Sequence, residues 1–84
     1  MKKAQMTRKF DPTYFRDRLI VNGLNLAQFH DLLIRNGVKI SREKLYKFYQ
    51  GKARPRNPAE LMIYMKYLGG DIRDWVKMME DEGP

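Results

Sequence analysis

The sequence has no cysteine in its 84 residues, which excludes a disulfide framework and any thiolate metal site. Such a chain suits a reducing compartment, and a cytoplasmic protein is expected. No run of about 18 apolar residues occurs, so no segment is expected to span a membrane. The opening MKKAQMTRKF is basic but lacks the apolar centre of a secretory signal. Catalytic side chains are equally scarce. There is one histidine, His30, with no thiol and no carboxylate placed to partner it, and it reads as a packing or surface residue. No Ser/His/acid motif and no glycine-rich phosphate loop behind a strand is present. An enzyme is therefore not expected, and nothing calls for a cofactor, a metal or a small-molecule ligand. Strand signals are almost missing too: Val38-Lys39-Ile40 alternates, but three residues without a partner strand do not make a sheet.

A chain of this length makes one small domain that buries roughly 60–65% of its unfolded surface. Its core must come from aliphatics, six methionines and the ten residues that are Phe, Tyr or Trp. Positive charge is what the sequence has in excess. The net charge is +7, and residues 1–56 hold 14 Lys and Arg against 4 Asp and Glu, while residues 57–84 hold 3 against 6. A surface made soluble by charge alone mixes the signs, so this asymmetry points to a polyanionic partner for the first two-thirds of the chain. The sequence divides into a flexible basic arm over 1–10, a helical domain over 11–80 and an acidic tail over 81–84. The arm is either solvated or laid on phosphates or in a minor groove.

Five helix signals follow one another in the domain. Asp11 caps the first, with Pro12 at its first position, Phe15 and Leu19 inside with Ile20 beside them, and Asn22-Gly23 at its end. Asn25 and Gln28 have capping-box spacing at the start of the second, stapled by Leu24 and Phe29. Phe29, Leu32, Leu33 and Leu26 face inward there, and Gly37 stops the helix. Asn57, Pro58 and Glu60 form an N-x-x-E start for the fourth, whose buried face is Leu61, Met62, Met65 and Leu68 before Gly69-Gly70. Asp71 caps the fifth, where Ile72, Trp75, Val76 and Met79 recur at i, i+3, i+4, i+7. The fold class expected is all-α, a compact five-helix bundle.

The third helix, over 42–50, carries the chemistry. Ser41 is its cap, Ile40 and Leu45 its staple, and Gly51 and Pro55 its end. Leu45 and Phe48 face inward with Tyr49 beside them, leaving Arg42, Glu43, Tyr46, Lys47 and Gln50 outward. From Arg35 to Arg56 eight basic residues stand against one acid, too one-sided for a merely solvated face. Lysine and arginine neutralise phosphates and release counterions. Arginine and glutamine also make paired hydrogen bonds to guanine or adenine edges. Arg42, Lys44, Tyr46, Lys47 and Gln50 are the candidate groove contacts, with Glu43 accepting from cytosine or orienting Arg42. Lys52, Arg54 and Arg56 are placed on phosphates, Lys39 and Arg35 belong to the same basic stretch, and Gln28 on the second helix braces the backbone.

These residues resemble the lambda-repressor-like (Cro/repressor type) helix-turn-helix domains of phage and bacterial regulators over roughly 12–72. The resemblance is carried by Arg16 or Arg18 with Leu19, by Gly23-Leu24-Asn25, by Ile40-Ser41, by the Gly51 to Pro55 exit, and by Leu61, Met65 and Leu68. The stretch from Asn25 to Ser41 is longer than the family's spacing, which implies an elongated second helix or a wider turn. The family has glutamate two residues before the exit glycine, where this chain has Tyr49, and glutamine where it has Leu26. The resemblance implies a repressor or other regulator of transcription that binds double-stranded DNA with its third helix in the major groove, as a dimer on a pseudo-palindromic site. The amphipathic fifth helix, with Ile72, Trp75, Val76 and Met79, is the expected homodimer seam, although the same spacing also serves core packing. The alternatives are an RNA-binding or architectural DNA-binding protein and a protein-interaction adaptor with a basic docking face.

Overall fold

The computed structural model describes residues 10–55 and 57–80, so the expected arm up to residue 9, Arg56 and the acidic tail 81–84 lie outside the described residues. The chain is all-α: α1 (Thr13–Val21), α2 (Leu26–Arg35), α3 (Arg42–Tyr49), α4 (Pro58–Leu68) and α5 (Ile72–Glu80), with no strand among the described residues.

Phe15 is the centre about which these helices are arranged. Its ring centroid lies 5.9 Å from Phe29 of α2, 4.6 Å from Phe48 of α3, 5.8 Å from Tyr64 of α4 and 6.3 Å from Trp75 of α5. One aromatic from every other helix therefore meets α1 at a single residue. Leu19, Leu33, Leu45, Leu68 and Met78 fill the space between them. Phe10 also belongs here. It is fully buried, 5.4 Å from the Phe48 ring, and its N–H reaches the Gly51 carbonyl at 3.4 Å. Sequence placed it in the arm, but a fully buried phenylalanine contributes about 2–3 kcal/mol of burial, and it belongs to the packed domain.

Local chemistry sets most element boundaries. The Asp11 carboxylate accepts from the Thr13 N–H at 3.0 Å, yet the first helical carbonyl is that of Pro12, bonded by the Arg16 N–H at 3.0 Å. The helix thus starts one residue later than expected, because Asp11 closes a side-chain turn around Pro12 instead of entering the helix. Ile20 is 73% exposed; it sits about 100° beyond Leu19 around the helix and points away from the core. The capping box of α2 is complete, with Asn25 Oδ1 accepting from the Gln28 N–H and Gln28 Oε1 accepting from the Asn25 N–H, both at 2.8 Å.

Between α2 and α3 the chain takes residues 36–41, a wider turn than the roughly 3–4 residues of a compact helix-turn-helix. The extra length anticipated between Asn25 and Ser41 is accommodated there. It closes with a Schellman bond from the Val38 N–H to the Leu33 carbonyl at 3.0 Å, and then His30 Nε2 meets the Ile40 carbonyl at 2.9 Å. The connection is thereby drawn back along α2, and α3 starts beside the first turns of that helix.

Two elements differ from expectation in which face they bury. In α4, Tyr64 and Leu68 are buried with Leu61 and Met65 partly so, while Met62, expected inside, is 61% exposed. The run LMIYMKYL is apolar at nearly every position, so its period does not select a stripe; the tertiary partner Phe48, stacked 4.9 Å from Tyr64, does. In α5, Trp75 and Met78 are buried whereas Ile72 and Val76 are 54% and 41% exposed. Trp75 packs edge-on against Tyr14 at 5.3 Å and donates its indole N–H to the Gly69 carbonyl at 2.8 Å. It is a core residue of its own chain and is removed from any dimer seam.

The Gly69-Gly70 turn explains itself through what passes it. Both glycines have positive φ, and a Cβ on Gly70 would collide with the Tyr14 hydroxyl, which accepts from the Asp71 N–H at 2.8 Å. The carboxylate of Asp71 then caps α5 through the Arg73 N–H at 2.8 Å. No helix among the described residues is long and apolar enough to cross a membrane.

Candidate nucleic-acid interface

Helix α3 is a short element fixed at both ends and underneath. Ser41 Oγ accepts from the Lys44 N–H at 3.0 Å, and Glu43 in the first turn matches the positive end of the helix dipole. At the other end Gly51 adopts φ 78°, and the Lys52 N–H closes on the Lys47 carbonyl at 2.8 Å. This left-handed residue at a buried position lets the chain turn at once into the basic exit. The Tyr49 carbonyl, one that a helix end leaves without a partner, accepts from Arg16 Nε at 2.9 Å, and the same guanidinium lies 4.8 Å above the Tyr49 ring. Leu45 and Phe48 anchor the underside.

That anchoring turns Arg42, Glu43, Tyr46 and Lys47 to solvent as one face, with Gln50 half-buried at the C-cap. Glu43 and Lys47 form an exposed pair at 4.0 Å, close to the limit for such a contact and of little energetic weight. Beyond Gly51, Lys52 is exposed, and the guanidinium of exposed Arg54 stands 5.9 Å from the Phe10 ring centroid. Phe10 and the exit of α3 therefore share one edge of the domain. Arg56, assigned to phosphates from sequence, lies outside the described residues.

The remaining candidates fall elsewhere. Lys44 does not join the outward face: its Nζ is 3.0 Å from Glu60 Oε1, tying α3 to α4. Glu60 in turn does not complete the capping box expected of it. Asn57 Oδ1 accepts from the Glu60 N–H at 3.0 Å, but the Glu60 carboxylate is taken by Lys44 and by the Tyr64 hydroxyl at 3.0 Å. Burial, then the charge of Glu60 and its hydrogen bond, push the Tyr64 phenol far above its ordinary range. Lys39 borders, with Lys44 and Glu60, a small groove against α4. Arg35 pairs with Asp31 at 3.0 Å at the far end of α2, about 13 Å of helix rise from Leu26. The Gln28 carbonyl oxygen is committed to the capping box.

The cations are thus sorted. Arg18 donates through Nε and Nη2 to the Leu68 carbonyl at 3.0 and 2.7 Å, and Asn22 adds a third donor at 2.9 Å, so α1 caps the end of α4 as well as that of α3. Arg16, Arg18 and Lys44 are occupied in holding helices together. Among the described residues the side chains of Lys39, Arg42 and Lys52, and of Lys66 and Lys77 on α4 and α5, enter no hydrogen bond or ion pair.

One feature of this face was not visible in sequence. Between the first turns of α2 and the outward side of α3 lies an open cleft of about 690 Å3, walled by Leu26, Ala27, His30, Leu45 and Tyr46 and bordered by Arg42 and Glu43. It requires residues from two helices whose crossing is set by the wide turn, and no spacing along the chain announces it. Comparison of the chain with protein-family models, with curated proteins and with solved structures finds no match.

Proposed function

We propose that the protein is a sequence-specific double-stranded DNA-binding regulator of transcription, acting in the cytoplasm by occupying its site as a repressor does. The outward face of α3 lies in the major groove, and a dimer covers a pseudo-palindromic sequence. The observation that carries this reading is the separation of two kinds of cation. Those of α1, and Lys44, are spent on helix ends and an ion pair, whereas Arg42, Lys47 and Lys52 look outward from one capped helix and its exit.

In this reading Arg42 contacts a base edge, with Glu43 beside it to accept from cytosine or to orient it. Tyr46, Lys47 and Gln50 complete the reading face, and Lys52, Arg54 and Arg56 hold phosphates that set the register. The dimer seam keeps Ile72, Val76 and Met79 of the original face. Val76 and Met79 also line a groove with Pro55, Pro58 and Leu61, which extends the apolar surface onto α4.

Selection of bound duplexes from a random pool tests the proposal. A regulator enriches a consensus and binds it about 10³-fold or more above scrambled duplex, with affinity falling steeply as salt rises. Equal affinity for all duplexes would replace it with an architectural role. Preference for RNA would replace it with RNA binding, and failure to bind nucleic acid at moderate salt would leave the adaptor reading.

A further inference from the structure

Charge accounts for phosphate contacts but not for the apolar cleft on the same face, and what that cleft accepts follows from what a duplex displays. This inference rests on the duplex-reading function proposed above. His30 also lines the cleft, but its Nε2 already meets the Ile40 carbonyl at 2.9 Å, so a polar base edge laid on Leu26, Ala27 and the ring of Tyr46 would lose its water for little in return, which is unfavourable. The apolar group that a base pair exposes in the major groove is the C5-methyl of thymine.

The two residues that border the cleft are matched to the neighbouring pair. Arg42 fits the O6 and N7 of guanine, and Glu43 accepts from the N4 amine of cytosine. We infer that the cleft between α2 and α3 is a subsite for the C5-methyl group of a thymine next to a G·C pair read by Arg42 and Glu43. Tyr46 is 51% exposed at its wall and Ala27 is exposed on the opposite helix. Both are open to a base edge arriving from outside, and neither holds the core. An apolar side chain of a protein partner would fill the same space, but it would leave the adjoining Lys47 and Lys52 without the phosphates that flank every base pair.

The test uses the full chain and the duplexes it selects from a random pool. Each thymidine of the consensus is replaced in turn by deoxyuridine, which deletes the methyl and keeps every hydrogen-bonding group. One position is expected to lose about fourfold in affinity, the worth of one buried methyl-sized group. 5-Bromodeoxyuridine, whose bromine is close to a methyl in size, should restore it there. Tyr46→Ala and, separately, Ala27→Gln should bind the thymidine and deoxyuridine duplexes alike while keeping native helical circular dichroism. A consensus with no methyl-sensitive thymidine, or a methyl effect that survives unchanged in both variants, overturns the subsite and leaves DNA reading standing. A pool that yields no consensus overturns both.

Discussion

Lys44 Nζ stands 3.0 Å from one oxygen of Glu60, and the Tyr64 hydroxyl stands 3.0 Å from the other. A cation of α3 is thus drawn inward to α4, and its side chain is only 31% exposed. Lys44→Ala leaves a largely sheltered carboxylate, 16% exposed, without its cation. The expected loss is about 1–2 kcal/mol of stability, read from chemical denaturation. The salt dependence of duplex binding should keep its slope; a slope reduced by about 1 would place Lys44 on a phosphate instead.

Arg42 and Lys52 should separate by the kind of loss they cause. Arg42→Ala should cost about 1–3 kcal/mol on the preferred duplex and little on scrambled ones, relaxing preference at one base pair. Lys52→Ala should weaken every duplex alike and lower the salt slope by about 1. Competition binding at two or more salt concentrations reads both. Identical behaviour of the two variants would mean that α3 reads no bases.

The α5 surface makes a prediction about mass in solution. Val76→Asp introduces a charge into an apolar strip made with exposed Ile72 and partly buried Met79. It should shift sedimentation toward the monomer without altering the helical signal. Trp75→Ala should instead lose about 3–5 kcal/mol of stability, as a fully buried indole does. An equal mass for Val76→Asp and the native chain across dilution would remove this seam.

Two side chains give stability a pH dependence with opposite signs. The raised folded-state value of Tyr64 means that its contribution is complete below its unfolded value of about 10 and is lost as the pH rises beyond it. The guanidinium of Arg73 first, then its backbone N–H, hold the Asp71 carboxyl below the usual range. That contribution is present above the unfolded value of about 3.9 and is lost as the pH falls through the folded one. Acid should therefore fray α5 at its start, and Tyr64→Phe should flatten the alkaline limb of a denaturation profile; an unchanged limb would assign it to other groups.

Gly70→Ala should destabilise, although a glycine-to-alanine change at a compatible site ordinarily stabilises. Its φ of 96° and the Tyr14 hydroxyl against the added carbon both oppose the change. The expected cost is about 1–3 kcal/mol, measured as a lowered thermal midpoint, and pairing it with Tyr14→Phe should recover part of the loss.

Local chemistry was legible along the chain; distant pairing was not. The caps of Asn25, Ser41, Asn57 and Asp71 stand as read, because each depends on a polar side chain within three residues of its N–H. The inward face of α3 was legible for a similar reason, since Leu45 and Phe48 are its apolar positions apart from tyrosines. Arg16 reaches Tyr49 and Arg18 reaches Leu68 across many residues, and no periodicity encodes that. Tyr64 was hidden by an α4 that is apolar almost all round, and Phe10 by the cations around it. The outward side of α3 is as read except for Lys44, which turns to Glu60, and the cleft beside Tyr46 had no signature at all.

Helix α1 closes the ends of two other helices at once, through Arg16 on the Tyr49 carbonyl and through Arg18 and Asn22 on that of Leu68. An opening that lifted α1 alone would bare both carbonyls and withdraw Phe15 from the ring cluster in the same step. Such an intermediate has nothing to stabilise it, so the amides of α1 and of the last turns of α3 and α4 should exchange with solvent at a common rate. Helix α3 then has no private route to unfolding: it stays whole for as long as the first helix does.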